Sequence, residues 1–499
     1  MMSVHVHGAN CKRCCLSRRC FLGTTAAAAV GLTLFRSPHA YGGSELGNYI
    51  DLNSFRPKPQ VRIKGAVFRE TPPYWLGWPG KSWDVEGYRK QFAEDFAARA
   101  KVVGVDLDQQ ESPVETDEAL EKFINELKAS PPDAVIVTLQ HMSNWKRAEK
   151  ITELGIPTII FAPIGTAFTG HVLKISRKPG VHVISSLEMD GVEQAFRMVR
   201  AKRQFENTNL LVLRGTERKE ENLEGLGATV KTAPRDLMHE LFNEMPENDE
   251  VHAVAEGMFQ GAEKVVEPSE QDGLNAARTF TAAKQLLARE ECNALTTDCL
   301  GMVTNRLVPT PPCMAASIFQ DAGITYGCEA DVDGALSLML PSYLFDRPGF
   351  MNDPVPETVK NNLIVAHCVS GTKLNGFSEE SEPYILRSHS ESDLGVSLQV
   401  LWEPGHPVTL VRFKGPKEVI VDTGTVVENI NTPPAGGCRT NFEVAMDRVE
   451  DVRDVLGFHQ VVFYGDRRRD VEAFCQMWNM KVTNSPRFAG EIEKEVKES

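Results

Sequence analysis

From residue 61 to about 162, short apolar β-branched runs alternate with amphipathic stretches. The runs at 61–68, 102–106, 134–139 and 158–162 read as strands. The stretches at 85–100, 116–128 and 143–154 read as helices, because their apolar residues fall on one face of a 3.6-residue repeat. Strand and helix in strict alternation predict βαβ units and a parallel sheet. The pattern resumes near 180, with strands at 181–185, 209–213, 293–297 and 324–328 and helices at 191–202, 270–289, 311–320 and 331–340. Beyond about 355 the texture changes. Strand-like runs at 362–369, 396–402, 408–414, 418–427 and 461–464 are separated by Gly and Pro, and one helix at 466–477 precedes a charged tail at 491–499. This order predicts an α/β protein: a linker at 43–60, two Rossmann-like α/β domains at 61–175 and 176–350, and a β-rich, barrel-like C-terminal domain at 351–499. No Gly-x-Gly-x-x-Gly follows the first strand, so a dinucleotide is not indicated.

Length supports several domains, since 499 residues exceed what one core organises. The net charge of −14 hides an asymmetry: the first 40 residues hold five basic and no acidic residues, leaving 49 basic against 68 acidic. An acidic body argues against nucleic acid as a partner, and its charge reads as solubility. The basic N-terminus carries Arg18-Arg19 before an apolar run with Ala26–Ala29 and Val30, then Ala40. That arrangement describes a twin-arginine export signal over residues 1–42, with the Tat machinery as partner and a periplasmic destination. The run is shorter than the roughly 20 residues of a membrane span and no other stretch qualifies, so stable membrane insertion is not expected once the signal is removed.

Four of eleven cysteines fall in the signal. The other seven (Cys292, Cys299, Cys313, Cys328, Cys368, Cys438 and Cys475) are odd in number and not spaced as a disulfide framework. Thiols in apolar segments suit a chain that folds, and loads a metal, in a reducing cytoplasm before export.

The candidate chemistry lies within about 40 residues. Glu329 sits in Tyr326-Gly-Cys-Glu-Ala-Asp-Val-Asp-Gly-Ala, Asp353 in Phe-Met-Asn-Asp-Pro, and His367 in Val-Ala-His-Cys. Singly these read as a helix-capping glutamate, a turn aspartate and a core histidine. Together, two carboxylates and an imidazole at the junctions of apolar runs and turns suit a divalent cation. They also suit acid–base work on a polar substrate. Asp298 and Glu329 both fall at the carboxyl ends of parallel strands, where open α/β sheets place ligands. Trp75, Trp78 and Trp83 suit either the face of a sugar or a subunit interface. Arg387 and His389 form a polar patch that lines a cleft or lies in a solvated loop. Cys368 beside His367 is not read as a Cys/His pair, because neighbours on a strand point to opposite faces.

The segment around Glu329 resembles the metal-carboxylate segment of the L-fucose/L-arabinose isomerase superfamily, in which a Gly-x-Glu-x-Asp context precedes a helix. Asp353 and Ala366-His367-Cys368 stand where that family has its second carboxylate and its Ala-His segment. Thr297-Asp298-Cys299 and Pro311-Pro312-Cys313 are similar to segments of the fucose-isomerase-like branch, and Gly457-Phe458-His459-Gln460 resembles the late histidine of the arabinose branch. The resemblance implies a metal-dependent aldose–ketose isomerase working through an enediolate. It implies Mn²⁺ or another divalent cation held by Glu329, Asp353, His459 and His367, the last as ligand or substrate contact. Glu329 and Asp353 would exchange protons, and Trp75, Trp78, Asp298, Arg387 and His389 would face a sugar. It further implies a homo-oligomer, a trimer or hexamer, whose N-terminal domains help close a neighbour's site. Two alternatives stand beside it: a periplasmic sugar-binding protein without catalysis, and a metal-dependent epimerase or lyase acting on a sugar derivative.

Overall fold

The computed structural model describes residues 47–73, 76–430 and 437–488; the export signal, Trp75 and the charged tail lie outside the described residues. Strands β1 (Arg62–Phe68), β2 (Asp106–Gln109), β3 (Ala134–Leu139), β4 (Thr158–Phe161) and β5 (Val181–Ile184) form one parallel sheet in the order β2-β1-β3-β4-β5. All six residues of β3 are buried, as a central parallel strand covered on both faces requires. Two details differ from expectation. The helix α1 (Val85–Val103) runs through the expected strand at 102–106 and stops where Gly104 turns left-handed, so β2 begins only at Asp106. The run at 181–185 closes the first sheet rather than opening the second.

Helix α2 (Asp190–Glu206) leads into a second sheet of β6 (Asn209–Leu213), β7 (Lys219–Asn222) and β8 (Thr229–Ala233). After the short β9 (Lys264–Val265) and helix α3 (Glu270–Arg289), β10 (Ala294–Thr297) and β11 (Tyr326–Cys328) complete it in the order β11-β10-β6-β8-β7. Only β7 runs antiparallel in this sheet. Helices α4 (Cys299–Thr304) and α5 (Cys313–Asp321) lie between β10 and β11, and α6 (Val332–Phe345) follows β11. The β7–β8 hairpin and helices Asp236–Glu244 and Asp249–Gly261 escaped the sequence reading, although Leu237, Met238, Leu241 and Phe242 carry a helical repeat.

The C-terminal part contains a closed six-stranded antiparallel barrel. Its strands are β12 (Phe350–Glu357), β13 (Asn362–His367), β16 (Pro407–Phe413), β17 (Glu418–Asn429), β18 (Thr440–Met446) and β19 (Gln460–Tyr464). The order β16-β19-β12-β13-β18-β17 is closed by β16 against β17. The hairpin β14 (Tyr384–Arg387) and β15 (Ser397–Val400) pairs with β9, and after helix α7 (Arg468–Met477) the strand β20 (Lys481–Thr483) adds to β17. Phe350, Trp402, Phe442, Val462 and Tyr464 belong to one buried cluster, Trp402 stacking on Phe442 at 4.4 Å. Each such side chain contributes about 1.5–3 kcal/mol through burial.

Helix α6 ties the second sheet to the barrel. It is buried from Gly334 to Leu344, and the Phe413 N–H of β16 donates to Ser337 Oγ at 2.8 Å. Asp353, expected in a turn, lies within β12 opposite Ala366; Pro354 and Pro356 sit beyond the part of β12 that pairs with β19. Among the described residues no helix is long and apolar enough to cross a membrane.

Candidate metal centre

The sheet and the barrel each deliver part of one cluster. Glu329 follows β11, Asp353 lies on β12, His367 ends β13 and His459 immediately precedes β19. The chain between β11 and α6 reverses sharply: Glu329 and Ala330 both have left-handed backbones, with φ of 58° and 53°. His459 does too, at 53°. Three non-glycine residues held in this sparsely populated region mark a place where the fold overrides local preference. The turn is pinned by the Ala330 N–H, which donates to the Thr297 carbonyl at 2.9 Å, and by Asp331, which caps α6.

One ligand atom each from Glu329, His367 and His459 lies within 4.8 Å of the others. His459 Nε2 stands 3.3 Å from a Glu329 carboxylate oxygen and 3.3 Å from Asp353 Oδ1, while His367 Nε2 is 3.7 Å from the other Glu329 oxygen. Asp353 Oδ1, His459 Nε2 and both ring nitrogens of His367 are buried without a hydrogen bond. Buried polar atoms are nearly always satisfied, so the orphaned atoms of Asp353, His459 and His367 around Glu329 describe a donor set awaiting a ligand. Two imidazoles and two carboxylates are the donors expected for a borderline divalent cation, and these residues fit one. The histidines are almost fully buried, whereas the Glu329 and Asp353 side chains keep 27% and 31% exposure, so the carboxylates form the open side.

Asp331, not singled out from sequence, organises the cluster. Its carboxylate accepts the Gly334 N–H at 3.0 Å and bonds to Arg412 at 2.7 and 3.1 Å. It also accepts from His459 Nδ1 at 2.8 Å. A carboxylate on one ring nitrogen fixes the tautomer and turns the other nitrogen toward the site. Arg412 also donates to the His459 carbonyl at 3.2 Å, steadying the strained residue from both ends. Electrostatics follow the contacts. Glu329 is held down at about 2 by the adjacent His367 and His459 imidazoles, against the opposing effect of burial. Burial would lower His459, but Asp331, Asp353 and Glu329 override it and push it up to about 11. Without a cation the ring is an imidazolium among three carboxylates; ligation requires it to give up that proton.

Behind the cluster lies a cavity of about 40 Å³, lined in part by Glu329, Asp353, His367 and His389. It is large enough for an ion or a water but far below the roughly 300 Å³ of a small-molecule pocket. Its wall gathers five of the seven free cysteines: Cys299, Cys313, Cys328, Cys368 and Cys438. Cys368 Sγ lies 3.6 Å from Ser390 Oγ. The expectation that Cys368 and His367 face apart is overturned, because β13 ends at His367 and the strict alternation of a strand ends with it.

The remaining sequence candidates are placed as follows. Asp298 caps α4 through the Gly301 N–H at 3.0 Å and pairs with Arg235 at 2.5 Å. Arg387 pairs with Glu267 at 2.7 Å and donates to Gln399 at 3.0 Å. His389 lines the cavity with its Nδ1 3.0 Å from Ser392 Oγ. Trp78 is exposed and packs edge-on against Phe168 at 5.7 Å.

In an alignment of 184 positions that covers 34% of the chain, the sequence is 24% identical to sulfoquinovose isomerase from Clostridium sp. (strain MSTE9). The match covers 40% of that protein, so the chain spans about two fifths of the length of the curated relative it matches. The likeness to a sugar isomerase supports the superfamily resemblance carried by the motifs. No family model matches the chain.

Proposed function

We propose that the chain is a divalent-metal-dependent aldose–ketose isomerase with Glu329, Asp353, His367 and His459 at its centre. The observation that carries this reading is the gathering of Glu329, His367 and His459 within ligand distance of one another, with Asp353 3.3 Å from His459 and buried atoms of Asp353, His367 and His459 left without a hydrogen bond. A divalent cation held by these residues would supply Lewis-acid polarisation of the sugar oxygens. The protein's own part is proton handling. Glu329 and Asp353 sit on the open side, where one carboxylate can take the C2 proton of an aldose and return it to C1 while the O2 hydroxyl proton passes to O1. Glu329, held at about 2, is ionised at neutral pH and ready to accept it. His459, oriented by Asp331, and His367 keep the two carboxylates apart and turned toward one point.

The reading extends to the whole chain. The three expected domains stand with the first boundary moved from 175 to beyond β5, residues 1–42 direct export by the twin-arginine route to the periplasm, Mn²⁺ is the working cation, and the protein assembles as a trimer or hexamer. Trp75, Trp78, Asp298, Arg387 and His389 contribute to sugar binding. The small cavity supports assembly, since a sugar needs walls beyond those this chain supplies.

The test is incubation with Mn²⁺ and a panel of aldoses and ketoses, sulfoquinovose included, in D₂O. Deuterium at C1 or C2 of one sugar, lost in Glu329→Gln and Asp353→Asn, is the expected result. Tight sugar binding with no exchange anywhere in the panel would leave a binding protein instead. Undiminished Mn²⁺ affinity in both variants would remove the metal assignment.

A further inference from the structure

At the far end of α6, about 20 Å along its axis from Glu329, lies a second cleft, whose lining mixes arginines with the carboxylates of Asp190, Glu193 and Asp470. An open cleft of about 500 Å³ is formed by the start of α2, the end of α6 and the loop after β19. Four arginines line it: Arg99, Arg197, Arg347 and Arg467. Three have carboxylate partners. Arg99 bonds Glu193 at 2.8 Å, Arg197 bonds Asp346 and Glu193, and Arg467 lies 3.5 Å from Asp470.

Arg347 differs. Its guanidinium donates to the Tyr464 carbonyl at 2.8 Å and makes no ion pair among the described residues. Its Nε is buried without a partner, and so is the Nε2 of Gln194 in the same cleft. Burial, then the like charges of Arg467 and Arg197, push Arg347 down to about 10. A half-buried cation that faces two other cations and keeps orphaned donors is costly unless something answers it. The missing partner must accept hydrogen bonds at several oxygens and carry negative charge. Guanidinium forks match phosphate oxygens two at a time, and the volume suits a small molecule.

We propose that this cleft binds a phosphate-type oxyanion, free or as the phosphoryl group of a small metabolite, through Arg347, Arg467 and Gln194. The site is independent of the metal centre and of the reaction assigned to it.

The test is calorimetric titration of the full chain with inorganic phosphate, pyrophosphate and a hexose phosphate, against sodium chloride at matched ionic strength. Saturable phosphate binding that chloride does not reproduce is expected, weakened about tenfold or more in Arg347→Gln and in Arg467→Gln by loss of a charge-assisted contact. Asp470→Asn, which removes a negative charge from the cleft, tightens it. Glu329→Gln leaves it unchanged, which separates this site from the metal centre. A hexose phosphate that binds more tightly than phosphate identifies a phosphorylated metabolite as the ligand; equal binding identifies free phosphate. Heat matched by chloride, or wild-type phosphate affinity in Arg467→Gln, overturns the proposal. Arg467 is 42% exposed, so that variant remains informative where Arg347→Gln fails to fold.

Discussion

Asp331 caps the start of α6 and Asp346 its end, and each aspartate is held by arginine, yet the two ends are left with opposite surpluses. At the start, one arginine and one imidazole answer Asp331, while Glu329 and Asp353 remain beyond them. At the end, Arg56, Arg197 and Arg200 converge on the single carboxylate of Asp346, and Arg347 is left over. The helix dipole favours an aspartate at the first position and disfavours one at the second. Asp346 therefore needs its arginines, whereas Asp331 can share its charge with His459. The difference teaches that the same capping residue can set up a cation site or an anion site, depending on what surrounds it.

The largest effect that would break this comparison is Asp346→Asn. Asparagine tolerates the left-handed backbone of residue 346, at φ 50°, so the substitution removes charge and little else. Arg56 and Arg200 then lose their carboxylate partner while Arg197 keeps Glu193, and stability falls by about 2 kcal/mol in denaturant unfolding, discounted from a fully buried pair for partial exposure. Mn²⁺ affinity stays at the wild-type value. An unchanged unfolding midpoint would show that Asp346 is not the electrostatic anchor of its end. Next comes Asp331→Asn, which keeps the helix cap because asparagine caps as well as aspartate. It weakens the grip on His459 and lowers Mn²⁺ affinity about 10- to 100-fold by calorimetry. Wild-type affinity would mean that His459 is oriented by the backbone alone.

A pH series sharpens the contrast. His459 rises from an ordinary 6.5 to about 11 on folding, so its contribution is complete below 6.5 and is lost as pH climbs toward 11. Glu329 falls from 4.5 to about 2, so its contribution is complete above 4.5 and lost as pH drops toward 2. The metal-free protein should therefore lose melting temperature between pH 6.5 and 9, and His459→Gln should lose less over the same range. Equal slopes would place no proton on His459. The smallest expected effect is Ala330→Gly: relief of a left-handed alanine is offset by a freer unfolded chain, and stability moves by less than about 0.5 kcal/mol. A large loss would mean that the Ala330 methyl supports the turn by packing.

Much of this was legible in the chain. The strand at 134–139 was readable to the residue because a central parallel strand is a continuous apolar run, and the helix at 270–289 because its ends carry capping signals. Glu329, Asp353, His367 and His459 could be named, and the fold brings them together. Asp331 could not be assigned its second role. Its local bond to Gly334 is all that an N-cap aspartate shows in sequence, and its bond to His459 spans 128 positions. The cleft at Arg347 was invisible for the same reason: it depends on which arginines remain unanswered after folding, and no spacing encodes that.

The five thiols behind Glu329 have a consequence for how an ion would meet water. Sulfur is polarizable and a weak hydrogen-bond partner, so that wall offers a hydration shell little to hold. An ion seated against it would be stripped on the inner side and hydrated only outward, between Glu329 and Asp353. Any exchange of water for an incoming hydroxyl would then take place from one direction.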